Sequence, residues 1–262
     1  MVSESRAHLF GCGRRSWTRR WILLALALPA AICAVDASAV AAGLKTVRTS
    51  IEELRPDVRL VAVSKFIPKE LVLAAHDLGQ VDFGENYAQE LLEKAAALPR
   101  SIRWHFIGRL QSNKVKKLVA VPNLVAIETV DSPGLADRIA AAAADRSERL
   151  DLLVQVDTSN EATKGGVLPE EAASLASHIH HLDGVRMAGL MTIGALGDHS
   201  AFDRLRDTRE TVAQQLKVPL DSLTLSMGMS GDFQEAIRRG ATSVRVGSSI
   251  FGARPLQRPE KS

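Results

Sequence analysis

The residue with the clearest potential for carbonyl chemistry is Lys65, which follows the apolar run Leu60-Val61-Ala62-Val63-Ser64. Desolvation lowers the pKa of an amine, so a lysine on the end of such a run gains neutral, nucleophilic fraction. Alone, such a position more often holds a lysine whose stem lies on apolar surface and whose head reaches water. A second signal is Ser226-Met227-Gly228-Met229-Ser230-Gly231-Asp232-Phe233, which leads into a helical stretch. Hydroxyls, glycines and a helix N-terminus suit a phosphate, because backbone N–H groups point outward there. An ordinary turn capped by Ser230 would be written with the same residues. The third signal is Val244-Arg245-Val246-Gly247-Ser248, in which Gly247 permits close backbone approach and Ser248 adds a donor. Arg245 points inward if its flanking valines face outward, either toward a ligand or into a buried ion pair. Together the three favour a phosphorylated carbonyl compound.

These residues need a scaffold that brings them to one place. Strand-like runs occupy residues 60–64, 81–84, 103–107, 124–128, 152–157, 185–192, 223–226 and 243–247, alternating with segments of helical period. Pro68 reads as the first helical residue, before a stripe of Leu71, Ala74, Ala75 and Leu78 that Gly79 ends. Asn86 and Gln89 read as a capping box, and Ser132-Pro133 as an N-cap followed by N1. Phe202, Leu205, Val212 and Leu216 mark another inward face, and a helix over about 41–54 precedes the first strand. Eight such units predict an α/β fold, a single (β/α)8 TIM-type barrel. A doubly wound open sheet is the alternative, but no G-x-G-x-x-G or P-loop sequence follows any strand. In a closed barrel the eighth strand lies beside the first, and phosphate sites are often built from the loops after strands 7 and 8. Lys65 and the phosphate cradle would then share one mouth.

Six motifs, in order, carry a family resemblance. They are Val61-Ala62-Val63-Ser64-Lys65; Phe83-Gly84-Glu85-Asn86-Tyr87-x-Gln89-Glu90; and His105-Phe106-Ile107-Gly108-x-Leu110-Gln111-x-Asn113-Lys114. The others are Gly189-Leu190-Met191-Thr192-Ile193, Ser226-Met227-Gly228-Met229-Ser230-x-Asp232 and Val244-Arg245-Val246-Gly247. Over roughly residues 43–254 the chain resembles the pyridoxal phosphate homeostasis proteins. The resemblance implies a barrel of the alanine racemase N-terminal kind and pyridoxal 5'-phosphate held as a Schiff base on Lys65. It further implies Arg245 facing the pyridine nitrogen and phosphate contacts from Ser226, Gly247 and Ser248. Asn86, Met191, Met227 and Gly228 complete the implied cofactor-binding set.

The implied role is a non-catalytic carrier that releases the cofactor to an acceptor amine, apo forms of enzymes using it being the candidate partners, as a monomer or homodimer. A racemase of the same barrel type is a second reading. Racemisation needs an acid/base on each face of the carbanion, and in that class the second is a tyrosine from another domain. The sole tyrosine here, Tyr87, falls early in a helix, and the sequence ends eight residues beyond Arg254, which leaves no room for such a domain. A Schiff-base sugar-phosphate aldolase is a third reading, and no general acid/base for it can be placed near Lys65.

Composition narrows the remaining classes. Residues 1–42 carry five arginines against two acids, whereas the other 220 residues hold 28 basic and 28 acidic side chains. A neutral body gives no electrostatic footprint for nucleic acid. Both cysteines, Cys12 and Cys33, lie in the leader, so the body offers neither a disulfide nor a thiolate site. His178, His180 and His181 read as a solvated helix end rather than a metal tract. Arginines before the apolar run 21–35, then small residues at 37–41, read as a targeting leader, by layout a secretory signal peptide or an organellar transit peptide. Most relatives are cytoplasmic and have no such leader, so the resemblance itself points to cytoplasm or an organelle. The apolar run of about 15 residues is short for a bilayer span of about 20, and membrane contact would come only through an uncleaved leader. The expected divisions are therefore 1–42 leader, 43–254 barrel and 255–262 tail.

Overall fold

In this computed structural model, which describes residues 20–159, 165–195 and 197–252, strands and helices alternate along the chain. The strands are β1 Arg59–Val63, β2 Asp82–Glu85, β3 Arg103–Phe106, β4 Leu124–Val130, β5 Leu150–Gln155, β6 Val185–Met191, β7 Thr224–Ser226 and β8 Ser243–Val246. The helices are α1 Arg20–Leu54, α2 Lys69–Asp77, α3 Ala88–Ala97, α4 Val115–Val119, α5 Pro133–Ala143, α6 Pro169–His180, α7 Ser200–Leu216, α8 Phe233–Arg238 and α9 Ser248–Phe251. Every strand pair is parallel, and the sheet closes in the order β1 to β8. All eight predicted runs overlap an observed strand, and the closed barrel replaces the open-sheet alternative.

Closure is set by β1 lying beside β8, with Val61 opposite Arg245 and Ala62 opposite Val246. Gly247 therefore follows beside Val63, and Lys65 leaves β1 two residues further on at the same C-terminal mouth. Outside the strands, one continuous core joins sheet and helices, with Phe83, Trp104, Leu91 and Ile139 among its fully buried members. The helices bury the faces that their periodicity predicts: Leu71 and Ala75 of α2, Leu135 and Ile139 of α5, Phe202, Leu205 and Val212 of α7.

Several local expectations change. Pro68 occupies the N-cap rather than N1, and Leu78, expected on the inner stripe, is 45% exposed beyond the end of α2. No capping box forms at Asn86: Tyr87 is the N-cap of α3, and Gln89 bonds Glu93 instead. Asp232, not Ser230, holds the N-cap position of α8. Ser132 and Pro133 stand as expected. Helix α1 is already helical at Arg20, the first described residue, well before the expected start near 41, and Val40, inside the predicted leader, is buried along with Leu44, Val47 and Ile51. Among the described residues, no helix is long and apolar enough to cross a membrane.

Candidate functional site

A cavity of about 300 Å³ opens at the mouth beside β1 and β8. Lys65, Asn86, Arg245, Gly247 and Ser248 line it, as do Val63, Ile107, Ile193, Met229, Ser230 and Gly231. Its size is at the lower end of the range for small-molecule sites. Five of the nine predicted binding residues thus meet around one space.

The other four lie elsewhere. Met191 is fully buried and packs with Leu153 and Ala188. Met227 belongs to the main core, and Gly228 accepts the Arg245 backbone N–H at 3.0 Å. Ser226, expected at the phosphate, is fully buried, with its hydroxyl engaged inside the barrel. Ser230, one of the two hydroxyls of the expected phosphate cradle and the alternative cap, lines the cavity. Its hydroxyl accepts the Gly247 backbone N–H at 3.0 Å, tying the loops after β7 and β8 together.

Arg245 reaches inward from β8, 5% exposed, between the fully buried Val244 and Val246. Its Nη1 donates to Ser226 Oγ at 2.7 Å and its Nη2 to the Thr192 carbonyl at 2.8 Å. Ser226 Oγ in turn donates to Glu128 Oε2 at 2.5 Å. Glu128 on β4 and Ser226 on β7 belong to strands that are not neighbours, so this contact crosses the barrel's interior. From Glu128 Oε1 the line continues to His105 Nδ1 at 2.8 Å, and from His105 Nε2 to Asp82 Oδ1 at 2.9 Å. Barrels of this type usually fill the interior with branched apolar residues; here a line of alternating charge occupies it.

The charges support one another. Burial opposes the ionised form of Glu128, but the bond and charge of His105, then Arg245 and Ser226, hold its carboxyl below the usual range. Burial likewise opposes a charged His105, and its bonds to Asp82 and Glu128 outweigh that and raise the imidazole. Burial pulls the Arg245 guanidinium down, with Glu128 and Asp232 acting in the other direction. Glu128 and His105 were readable as polar residues inside runs destined for burial, a signal that calls for partners. Their partners, scattered along the chain, were not.

The polar groups fit a phosphorylated aromatic aldehyde. Asn86 Oδ1 is buried with no bonded partner in the protein, and Asn86 lines the cavity together with Lys65. Two Arg245 nitrogens are committed to protein acceptors, and a guanidinium has five N–H groups in all. At Gly247 a Cβ would meet the Val63 carbonyl at 3.2 Å, so glycine keeps the passage between β1 and β8 open. The His178, His180 and His181 group lies away from this mouth, with His178 bonded to Asp137 at 2.6 Å. No cluster of metal-binding side chains occurs among the described residues.

A closed parallel barrel with a lysine leaving its first strand defines a class, that of the alanine racemase N-terminal domain, whose sequence profile matches residues 35–255. Within that class the chain belongs to the pyridoxal phosphate homeostasis protein family. It is 46% identical over 209 residues to the family member of Schizosaccharomyces pombe, covering 78% of this chain and 87% of that one. The human member is 46% identical over 210 residues, covering 75% of this chain and 76% of that one. PipY of Synechococcus elongatus, solved with PLP bound, matches with a TM-score of 0.71 at 34% identity, over 81% of this chain and 100% of that one.

Proposed function

We propose that this chain binds pyridoxal 5'-phosphate in the cavity between the ends of β1 and β8, as a Schiff base on Lys65, and serves in homeostasis of that cofactor. The observation that carries the reading is the convergence of Lys65, Asn86, Arg245, Gly247 and Ser248 on one space of about 300 Å³. The PLP-bound relative of the same fold adds support.

Bound there, the cofactor supplies a reactive aldehyde. Lys65 Nζ would bond to the aldehyde carbon, the carbonyl oxygen leaving as water with the two amine hydrogens. Gly247, Ser248 and Ser230 would hold the phosphate side, and Asn86, whose Oδ1 has no partner in the protein, would accept a hydrogen bond from the ligand or from the lysine. Arg245 would stand at the ring nitrogen with a donor it does not give up, which would keep that nitrogen unprotonated and weaken the ring as an electron sink. Release would need a second primary amine to take the place of the Lys65 amine on the aldehyde carbon, so that the lysine regains its two hydrogens and the ligand departs with the acceptor. Apo enzymes that use the cofactor are the natural acceptors.

A carrier suits this site better than a racemase or an aldolase. Racemisation calls for a proton-transfer group on each face of the substrate. Among the described lining residues, Lys65 and Arg245 are the titratable ones, and a guanidinium stays protonated at neutral pH. Tyr87 lines a neighbouring groove and packs against Phe66 with the rings tilted by 40° at 5.0 Å between centroids. We keep residues 1–42 as a targeting segment, which N-terminal sequencing of the protein from its own cells would check.

Borohydride reduction after incubation with pyridoxal 5'-phosphate, followed by peptide mass spectrometry, tests the proposal. The reduced adduct is expected on Lys65 and is absent from Lys65→Ala. An adduct on other lysines alone would reject the site. Sustained racemisation of alanine by the pure protein would reject the carrier.

A further inference from the structure

Both neighbours of Lys65 are gripped by a buried charged cluster that takes no part in lining the cavity. Ser64 donates its hydroxyl to Glu85 Oε1 at 2.7 Å, and its carbonyl oxygen accepts from Lys94 Nζ at 2.7 Å. On the other side, the Phe66 backbone N–H donates to Glu90 Oε1 at 2.7 Å. Lys94 closes the cluster, reaching Glu85 Oε1 at 2.8 Å and Glu90 Oε1 at 2.7 Å. An ammonium has three donors, and here each has a partner: one is the carbonyl just before Lys65, and the other two are the carboxylates that hold Ser64 and Phe66.

The backbone at this point is unusual as well. Phe66 has φ of 63°, and it and Lys217 are the non-glycine residues with positive φ among those described. A bulky L-residue avoids that region and stays in it when the surroundings over-determine it. Glu90 on the amide and Tyr87 against the ring supply that constraint.

The cluster is an uneconomical way to gain stability. Its Lys94 and Glu85 side chains are 8% and 0% exposed, and a buried ion pair is often matched or bettered by apolar residues of similar volume. What such residues could not do is fix the backbone on both sides of one lysine. We propose that Lys94, acting through Glu85 and Glu90, is the positioning group for Lys65. It holds the turn of Ser64, Lys65 and Phe66 so that the Lys65 amine enters the cavity aligned for attack on the aldehyde of the phosphorylated ligand. This inference rests on Lys65 being the bonding amine, as read above.

The test compares two ligands in Lys94→Met, Glu90→Ala and Glu90→Gln, the last of which keeps an acceptor for the Phe66 N–H. One measurement is the rate at which Lys65 captures pyridoxal 5'-phosphate, fixed with borohydride at timed intervals and counted by peptide mass spectrometry. The other is equilibrium binding of pyridoxine 5'-phosphate, which has the ring and the phosphate but no aldehyde. Capture is expected to slow by on the order of 10-fold in Lys94→Met and Glu90→Ala, since small misalignments cost large factors in rate. It should recover in Glu90→Gln, with pyridoxine 5'-phosphate binding unchanged throughout.

Wild-type capture rates in Lys94→Met and Glu90→Ala would overturn the proposal. So would parallel loss of both ligands, because the cluster would then be supporting the fold as a whole. A wild-type protein that forms no adduct at Lys65 fails the binding reading itself, an outcome visible before any variant is compared. Should Lys94→Met not fold, Glu90→Ala decides by the same criteria, since it alters a carboxylate that is 21% exposed.

Discussion

Arg245 Nη1 lies 2.7 Å from Ser226 Oγ, and that hydroxyl spends its own proton on Glu128. One serine thus joins the cation at the cavity to the anion in the barrel's interior. The arrangement explains how an arginine is kept charged and oriented at a buried position: its counter-charge sits one hydroxyl away.

Ser226→Ala is expected to leave Glu128 and Arg245 each short of a partner. Leaving a buried polar group unpaired costs about 1–3 kcal/mol, so the loss in urea denaturation should fall in that range. Glu128→Gln removes the charge and should cost more, roughly 3–5 kcal/mol, the range for breaking a buried pair. Equal, near-zero effects would show that the interior line is not coupled.

The line also has a pH signature. His105 has a raised pKa, so its contribution is fully present below the unfolded histidine value and is lost as pH rises through the folded value. Glu128 and Asp82 are lowered against the burial that opposes them, so their contributions are present above the unfolded carboxylate values and fade as pH falls through the folded ones. The stability difference between wild type and His105→Gln should therefore be greatest at mildly acidic pH and shrink toward both extremes. Denaturation series across that range check it; a flat difference contradicts it.

Glu85 should behave in the opposite sense to Glu128. Burial pushes its carboxyl up to about 7, with the Lys94 charge pulling it back. The folded state then holds a proton that the unfolded chain has released. Its contribution is complete below the unfolded value of 4.5 and disappears as pH rises through about 7. Subtracting the Glu85→Gln profile from that of wild type should reveal this decline, which a difference independent of pH would refute.

Gly108 admits Asn86 to the site. A Cβ at Gly108 would sit 1.9 Å from the Asn86 carbonyl oxygen, closer than backbone atoms can approach. Gly108→Ala must displace the segment that carries Asn86, and overpacking of this kind typically costs about 1–3 kcal/mol. We expect a lower melting temperature together with weaker binding of pyridoxine 5'-phosphate. Wild-type values for both would show that the contact relaxes freely.

Much of this protein was legible in its sequence because the signals are local. Alternating apolar runs and amphipathic stretches gave eight strand–helix units, since period and punctuation depend only on near neighbours. Lys65, Gly247 and Ser248 were recognisable at strand ends because a parallel barrel gathers those ends at one mouth. The capping box at Asn86 failed by one residue, as helix boundaries often do: Asn86 lines the cavity and Tyr87 is the N-cap.

Long-range pairing was not legible. Nothing near Ser226 announces that its partner is Glu128, 98 residues earlier, or that Arg245 will bond the Thr192 carbonyl. Nor does the run ending at Ser64 foretell Lys94, 30 residues on. The sequence by itself determined the order and type of elements and which residues carry reactive groups, because propensity, periodicity and side-chain chemistry travel with the chain. Only the tertiary structure decided which groups face one cavity and which charges neutralise one another, because strand closure sets those distances and burial sets the dielectric in which each charge must find a partner.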